Sequence, residues 1–311
     1  MNNKKLALVL VALVAVFLIG RLISGKGERN FDSNLVSVDT ASVDKISMTG
    51  SHGTVILTRH GNGWNVSDGA GKEVPAVKNM AQGVLSNLLT IQSQRIITSS
   101  PDKWPDYEVT DTSGTHVVAS HGGKTLADLI IGRFAFNQAT RSGTSYIRKS
   151  GQDDVHAIDG FLSMNFSRDF DSFRDKSLAT LTPADVKNLK LESRNDMRSV
   201  SIDKNAEGKW ISDGMTLDSA TVANYLSGLR FLNGTTFDDH FTPQGKDPVY
   251  TLDVSTNTQL EPLQITCFGG DGASPFVFHS SHNPDAYFAS DSSQLYQTVI
   301  RSFLEMLPHD Q

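Results

Sequence analysis

Val43-Asp44-Lys45-Ile46-Ser47-Met48 and Val186-Lys187-Asn188-Leu189-Lys190-Leu191 carry the same alternation of apolar and polar residues, about 143 positions apart. Reading them as two copies of one strand decides the fold, because further landmarks keep nearly that spacing. A tryptophan follows in each copy, Trp64 and Trp210. Leu85-Ser86-Asn87-Leu88 and Leu226-Ser227-Gly228-Leu229 fall in a helical segment of each, about 141 apart. Tyr146-Ile147-Arg148 is matched with Tyr287-Phe288-Ala289 at about the same offset. A near-constant offset over several landmarks marks a tandem duplication.

Within the first copy, Val43–Met48 and Thr54–Thr58 alternate as half-buried strands do, and the turn Gly61-Asn62-Gly63 leads into a third strand at Trp64. Pro75 sits where a helix is expected to begin. Val77, Met80, Val84, Leu85, Leu88 and Ile91 then recur at steps that put them mainly on one helical face. Strands are expected over Arg95–Thr98, Thr115–Ala119, Leu126–Ile131 and Thr144–Arg148, with Gly122-Gly123 as a hairpin turn. The second copy repeats the order, with strands at Val186–Leu191, Ser199–Asp203 and Lys209–Ser212 and a helix from Leu217 to Leu232 capped by Asp218 or Ser219. Later strands and a closing helix, Gln294 to Leu307, finish it. This pattern predicts an α+β class: two tandem repeats, each an antiparallel sheet packed with one or two helices, after a single N-terminal transmembrane helix. The expected divisions are an anchor at 1–24, a tether at 25–38, repeat domains at 39–167 and 185–311, and an ordered connector at 168–184.

Leu6 to Gly20 is uninterrupted apolar sequence, continued by Leu22 and Ile23 past Arg21. About eighteen helical residues rise roughly 27 Å, close to a hydrocarbon core. The small-residue pairs that a signal peptidase needs are poor here, so an uncleaved signal anchor is expected. The chain is therefore expected to be a single-pass protein of the cytoplasmic (inner) membrane with its body outside, since the tail before the segment is short and the body is poor in Lys and Arg. The lone Cys267 makes no intramolecular disulfide and follows no lipoprotein pattern. A formal charge of −6, with Lys4, Lys5 and Arg21 lying in or near the anchor, leaves an acidic body without a basic stripe. Nucleic acid is therefore not an expected partner.

Several constellations resemble chemistry and are read as structure instead. His279 with His282, and His116 with His121, lack the spacing and companion ligands of a zinc site. Ser42-x-x-Lys45 and Ser201-x-x-Lys204 spell an acyl-transfer motif, but in strands positions i and i+3 face opposite sides. Asp169, Asp171 and Asp175 interleave with Arg168, Arg174 and Lys176 as an ion-pair network rather than a carboxylate pair for sugar hydrolysis. Trp64 and Trp210 occupy equivalent positions, which favours packing over sugar stacking, and Trp104 is the third tryptophan. No catalytic, cofactor or metal residues are expected, and the chain is read as a non-enzyme.

The strand pair, the Trp-containing strand, the leucine-rich helix and the apolar strand Leu129-Ile130-Ile131-Gly132, followed by Tyr146-Ile147-Arg148 and Val155-His156-Ala157, together resemble a known family. So does Arg174-Asp175-Lys176-Ser177-Leu178. The chain is similar to bacterial envelope proteins classed as domain of unknown function 4340. One family stretch, Tyr-Gly-Leu-x-x-Pro, is represented only by Tyr107-Glu108-Val109 and by Phe241-Thr242-Pro243. The resemblance implies neighbours among ABC-transporter components and gliding-type auxiliary membrane proteins. It thus implies a non-catalytic accessory or scaffold subunit of such a complex, with integral membrane proteins as partners. The alternative expectation is a module that binds envelope glycan or lipid in a cleft between the repeats.

Overall fold

The computed structural model describes residues 34–307, apart from 37, 40, 90, 272 and 273. The expected anchor at 1–24 lies outside the described residues. Among the described residues no helix is long and apolar enough to cross a membrane. The chain divides into two compact units between Arg174 and Asp175.

The first unit is built on β1 (Lys45–Gly50), β2 (Gly53–His60), β3 (Gly63–Ser67), β4 (Glu73–Pro75), β5 (Ser93–Thr98), β6 (Thr115–His121), β7 (Lys124–Asn137), β8 (Ser142–Lys149) and β9 (Val155–Asp159). They form one nine-stranded antiparallel sheet in the order β4-β3-β2-β1-β6-β7-β8-β9-β5. Helix α1 (Lys78–Leu89) and the short α2 (Leu162–Phe166) complete it. The alternation read in β1 is realised: Ile46 and Met48 are buried, and Ser47 between them is less so. Ala81, Val84, Leu85 and Leu88 of α1 enter the same core as Ile46, Leu57, Val66, Val117 and Leu129. Each such leucine contributes about 1.5–3 kcal/mol relative to an exposed one.

Leu129, Ile130 and Ile131 are all buried, although neighbours in a strand point to opposite faces. Leu129 and Ile131 belong to the main core, whereas Ile130 packs on the other face with Val109, Val155, Trp104, Tyr107 and Tyr146. A strand covered on both sides needs a continuous apolar run.

The second unit contains β10 (Ser177–Thr180), β11 (Val186–Ser193), β12 (Arg198–Lys204), β13 (Trp210–Ser212), β14 (Met215–Thr216), β15 (Phe231–Asn233), β16 (Thr236–Phe237), β17 (Tyr250–Thr256), β18 (Leu263–Gly269), β19 (Phe276–Ser280) and β20 (Asn283–Ser290). Its nine-stranded sheet runs β14-β13-β12-β11-β17-β18-β19-β20-β16, which is the order of the first sheet strand for strand. Helix α3 (Ser219–Leu229) takes the place of α1, capped by Asp218, whose carboxylate accepts from the backbone N–H groups of Ala220 and Thr221. A closing helix is π-helical over Gln297–Arg301 and continues as α4 (Ser302–Glu305).

The two tryptophans show how far the likeness goes. Trp64 lies opposite Arg59 in the ladder and Trp210 opposite Lys204, and each carries that cation over its ring, at 4.7 Å and 5.6 Å. The Trp64 carbonyl accepts from Ala76 N–H at 2.8 Å, and the Trp210 carbonyl accepts from Leu217 N–H at 2.9 Å. Both rings are buried.

The structure corrects three expectations. The class is mainly β rather than α+β: strand makes up 46% of the described residues and helix 19%, in two large antiparallel sheets. Strands of two or three residues, such as β4, β14 and β16, are too short to show a period, so the sequence understates them. Pro75 does not open the helix but ends the edge strand β4 opposite Asn65, where a missing N–H faces no further partner. Finally, strand order pairs β8 with β19 and β9 with β20, so Tyr146 and Tyr287 stand on non-equivalent strands. Their shared offset comes from unequal loops that happen to compensate.

The interval 168–184, expected to connect the domains, is divided. A 3-10 turn at Phe170–Phe173 belongs to the first unit, with Phe173 in its core. Strand β10 pairs with β15, and its Leu178 and Ala179 lie in the second core. In the first unit the bridge Asn34–Gln92 occupies the corresponding place.

Candidate interaction surface on the first unit

Strand β7 has 14 residues and its counterpart β18 has 7, and the excess is a hairpin extension found in the first unit alone among the described strands. The ladder between β7 and β8 shifts register between Ile131 and Phe134, which marks a bulge. Beyond it, Phe134 pairs with Ser145, Ala135 with Thr144 and Phe136 with Gly143. Phe134 and Phe136 therefore share one face. Phe161, just before α2, lies on that face with its ring 5.4 Å from Phe134 and 6.1 Å from Phe136. Gly143 makes this possible: a Cβ there would meet the Phe161 ring at 2.5 Å. Phe136 is nevertheless 53% exposed and Met164, on α2, 57%.

The bulge has its own cause. A Cβ on Gly132 would collide with the Tyr107 carbonyl, so only glycine lets the 3-10 turn Pro101–Tyr107 cross the sheet there. Arg133 donates through Nε to the Asp106 carbonyl at 2.7 Å and lies over the Tyr146 ring at 5.5 Å. Tyr107 packs on Tyr146, with centroids 4.7 Å apart. In the second unit Phe241 packs on Phe268 and Tyr287, both at 5.2 Å. The two departures from the Tyr-Gly-Leu-x-x-Pro stretch thus do the same work, closing an aromatic cover over the outer face of each sheet.

The residues singled out for their chemistry stand apart from one another. His116 Nε2 lies 2.6 Å from Asp128, and His121 Nδ1 lies 3.4 Å from Asp44. His279 stacks on Tyr287 at 4.7 Å, whereas His282 sits in the turn before β20. Among the described residues no group of three or more His, Cys, Asp or Glu is placed to hold a metal ion. Ser42 donates to the Asp39 carbonyl, not towards Lys45. The Ser201 hydroxyl donates to Asp203, and Lys204 lies on Trp210. Asp169 accepts from the backbone and hydroxyl of Ser172, Asp171 pairs with Arg174 at 2.8 Å, and Asp175 accepts from Ser177. Trp104 donates to the Asp153 carbonyl and carries Arg148 over its ring at 3.8 Å. Cys267 is fully buried, and burial pushes its thiol up to about 12, away from the thiolate a nucleophile needs.

Residues 69–254 match the family model described as a domain of unknown function, DUF4340. The chain belongs to the DUF4340 family. The matched interval begins in the turn after β3 and ends within β17, so the DUF4340 match spans parts of both units. No curated protein matches the chain.

The aromatic hairpin of this DUF4340 chain was not anticipated, because the strand was expected to stop at Ile131. The signal was present: Phe134-Ala135-Phe136 resumes a two-residue period after Gly132-Arg133. A bulge breaks the phase of the alternation, and a reading that demands one phase ends the strand there.

Proposed function

We propose that the chain is a non-catalytic accessory subunit of a membrane complex, tethered by its apolar segment Leu6–Gly20 and holding an integral membrane partner with the β7–β8 hairpin. The observation that carries this reading is the half-exposed Phe136 grouped with Phe134 and Phe161. Phe161 has an internal reason for its position, the gap above Gly143. Phe136 has no such reason to stay in water, and clustered exposed aromatics are the composition of a protein-binding surface. On this reading the body lies outside the cytoplasm, and an ABC-type export or gliding-like complex is the partner class that the family resemblance implies.

The test is a photoreactive phenylalanine analogue introduced at Phe136 in the full-length chain, in the host that makes it. Met197, 95% exposed on the second unit, serves as control position. The expected result is a cross-link to an integral membrane protein from position 136 and none from 197, in membranes washed with carbonate. Recovery of the chain in the soluble fraction, or equal cross-linking from both positions, defeats the proposal.

A further inference from the structure

The second unit holds an open cleft whose wall has no counterpart among the described residues of the first. In the first unit β6 passes into β7 through the tight turn Gly122-Gly123, both residues with positive φ. The equivalent strands β17 and β18 are joined by the longer loop 257–262. Between that loop and the β10–β15 ribbon lies a cleft of about 740 Å³. Phe231 lines it at 66% exposure, and Leu260 stands fully exposed in the loop.

Thr256, Thr258 and Ser281 of the lining are hydrogen-bonded within the protein, but four longer polar side chains of the cleft are uncommitted. Arg230 lies over the Phe231 ring at 5.0 Å. Otherwise Arg230, Asp185, Gln259 and Glu261 make no side-chain hydrogen bond or ion pair with any described residue. The cleft therefore presents a flat apolar ring beside a donor, two acceptors and an amide that does both. A bare anion would meet two carboxylates, and an acyl chain would meet a lining more polar than apolar. A sugar matches both halves: its C–H face stacks on a ring, and its hydroxyls need donors and acceptors together.

We infer that this cleft binds a neutral oligosaccharide, with one sugar ring on Phe231 and hydroxyls held by Arg230, Asp185 and Gln259. The site lies within the second unit and is independent of the hairpin reading. Full-length protein in a non-glycosidic detergent is titrated with cellotetraose and, separately, chitotetraose, by calorimetry and saturation-transfer NMR. One of the two is expected to bind at or below about 1 mM, the usual range of weak specific association. Phe231→Ala and Gln259→Ala are each expected to weaken it about tenfold, a loss of one ordinary contact. Met197→Ala, outside the cleft, leaves it unchanged. Both cleft residues are exposed, so circular dichroism of the variants should match the parent. Failure of both sugars to bind, or binding that survives both cleft substitutions, overturns the inference.

Discussion

The Tyr225 hydroxyl donates a 2.9 Å hydrogen bond to the Val299 carbonyl, from the middle of α3 to the π-helical turn that leads into α4. Tyr225 is buried, with its ring edge-on to Phe303 at 5.8 Å. A buried phenol without an acceptor would be costly, and the π turn presents the carbonyl that it needs. Tyr225→Phe should lower the unfolding free energy by about 1–2 kcal/mol, and Tyr225→Ala by about 3–5 kcal/mol through the added cavity. Urea titration of the full chain measures both. A Phe variant as stable as the parent would remove the hydrogen bond from the account.

The second unit should fail in alkali. Burial raises Tyr225 far above its ordinary value, raises Tyr250 to about 12 with help from Tyr296, and raises Cys267 to about 12. In each case the folded state keeps a proton that the unfolded chain gives up near pH 9–10, so stability falls as pH rises through that range. Below about pH 8 the effect is fully in place as stabilisation. Urea midpoints followed through Trp210, in a chain whose Trp64 and Trp104 are phenylalanine, should fall between pH 8.5 and about 11. A flat profile would contradict the burial.

Cys267 gives a separate check. Ellman's reagent should titrate no thiol in the folded chain at pH 8 and one after denaturation, because the sulfur is both inaccessible and held protonated. Rapid reaction of the native protein would mean the β17–β18–β19 core opens far more readily than its packing implies.

Ser93 and His156 form a buried pair in the first unit, with Oγ 2.8 Å from Nδ1. Ladder registers carry His156 onto Phe288, and the chain offset that aligns β5 with β16 carries Ser93 onto Gly234. A Cβ on Gly234 would collide with the Phe288 ring. The two repeats thus fill one site with two different matched pairs. His156→Phe alone should be destabilising by about 2–4 kcal/mol, from overpacking and a stranded hydroxyl, and Ser93→Gly should recover part of that loss. A double-mutant cycle measures the coupling. Strict additivity would show that the positions are not equivalent.

Gly132 and Gly143 separate two kinds of steric limit. Gly132→Ala meets the Tyr107 backbone, which cannot move without displacing the turn, and should cost about 3 kcal/mol. Gly143→Ala meets only the Phe161 side chain, which can swing out, and should cost about 1 kcal/mol while exposing more aromatic surface. Thermal melts give the first comparison and binding of a hydrophobic dye gives the second. Equal costs would mean that the turn yields as easily as the ring.

The sequence alone determined what is local and periodic. The β1 and β11 strands, the amphipathic α1 and α3, the Gly122-Gly123 turn and the Asp218 cap each follow from neighbours a few positions apart. The duplication was legible too, since an offset near 143 needs no coordinates. Only the tertiary structure decided the class, because β4, β14 and β16 owe their existence to a neighbouring strand that supplies their hydrogen bonds. It also decided which offsets are true equivalences, separating Tyr146 from Tyr287 by one strand. The aromatic hairpin and the cleft at Phe231 depend on chain segments brought together by folding, β7 with Phe161 and loop 257–262 with β15. No period in a sequence encodes such meetings, which are fixed by sheet register and by the few positions where glycine lets the chain pass.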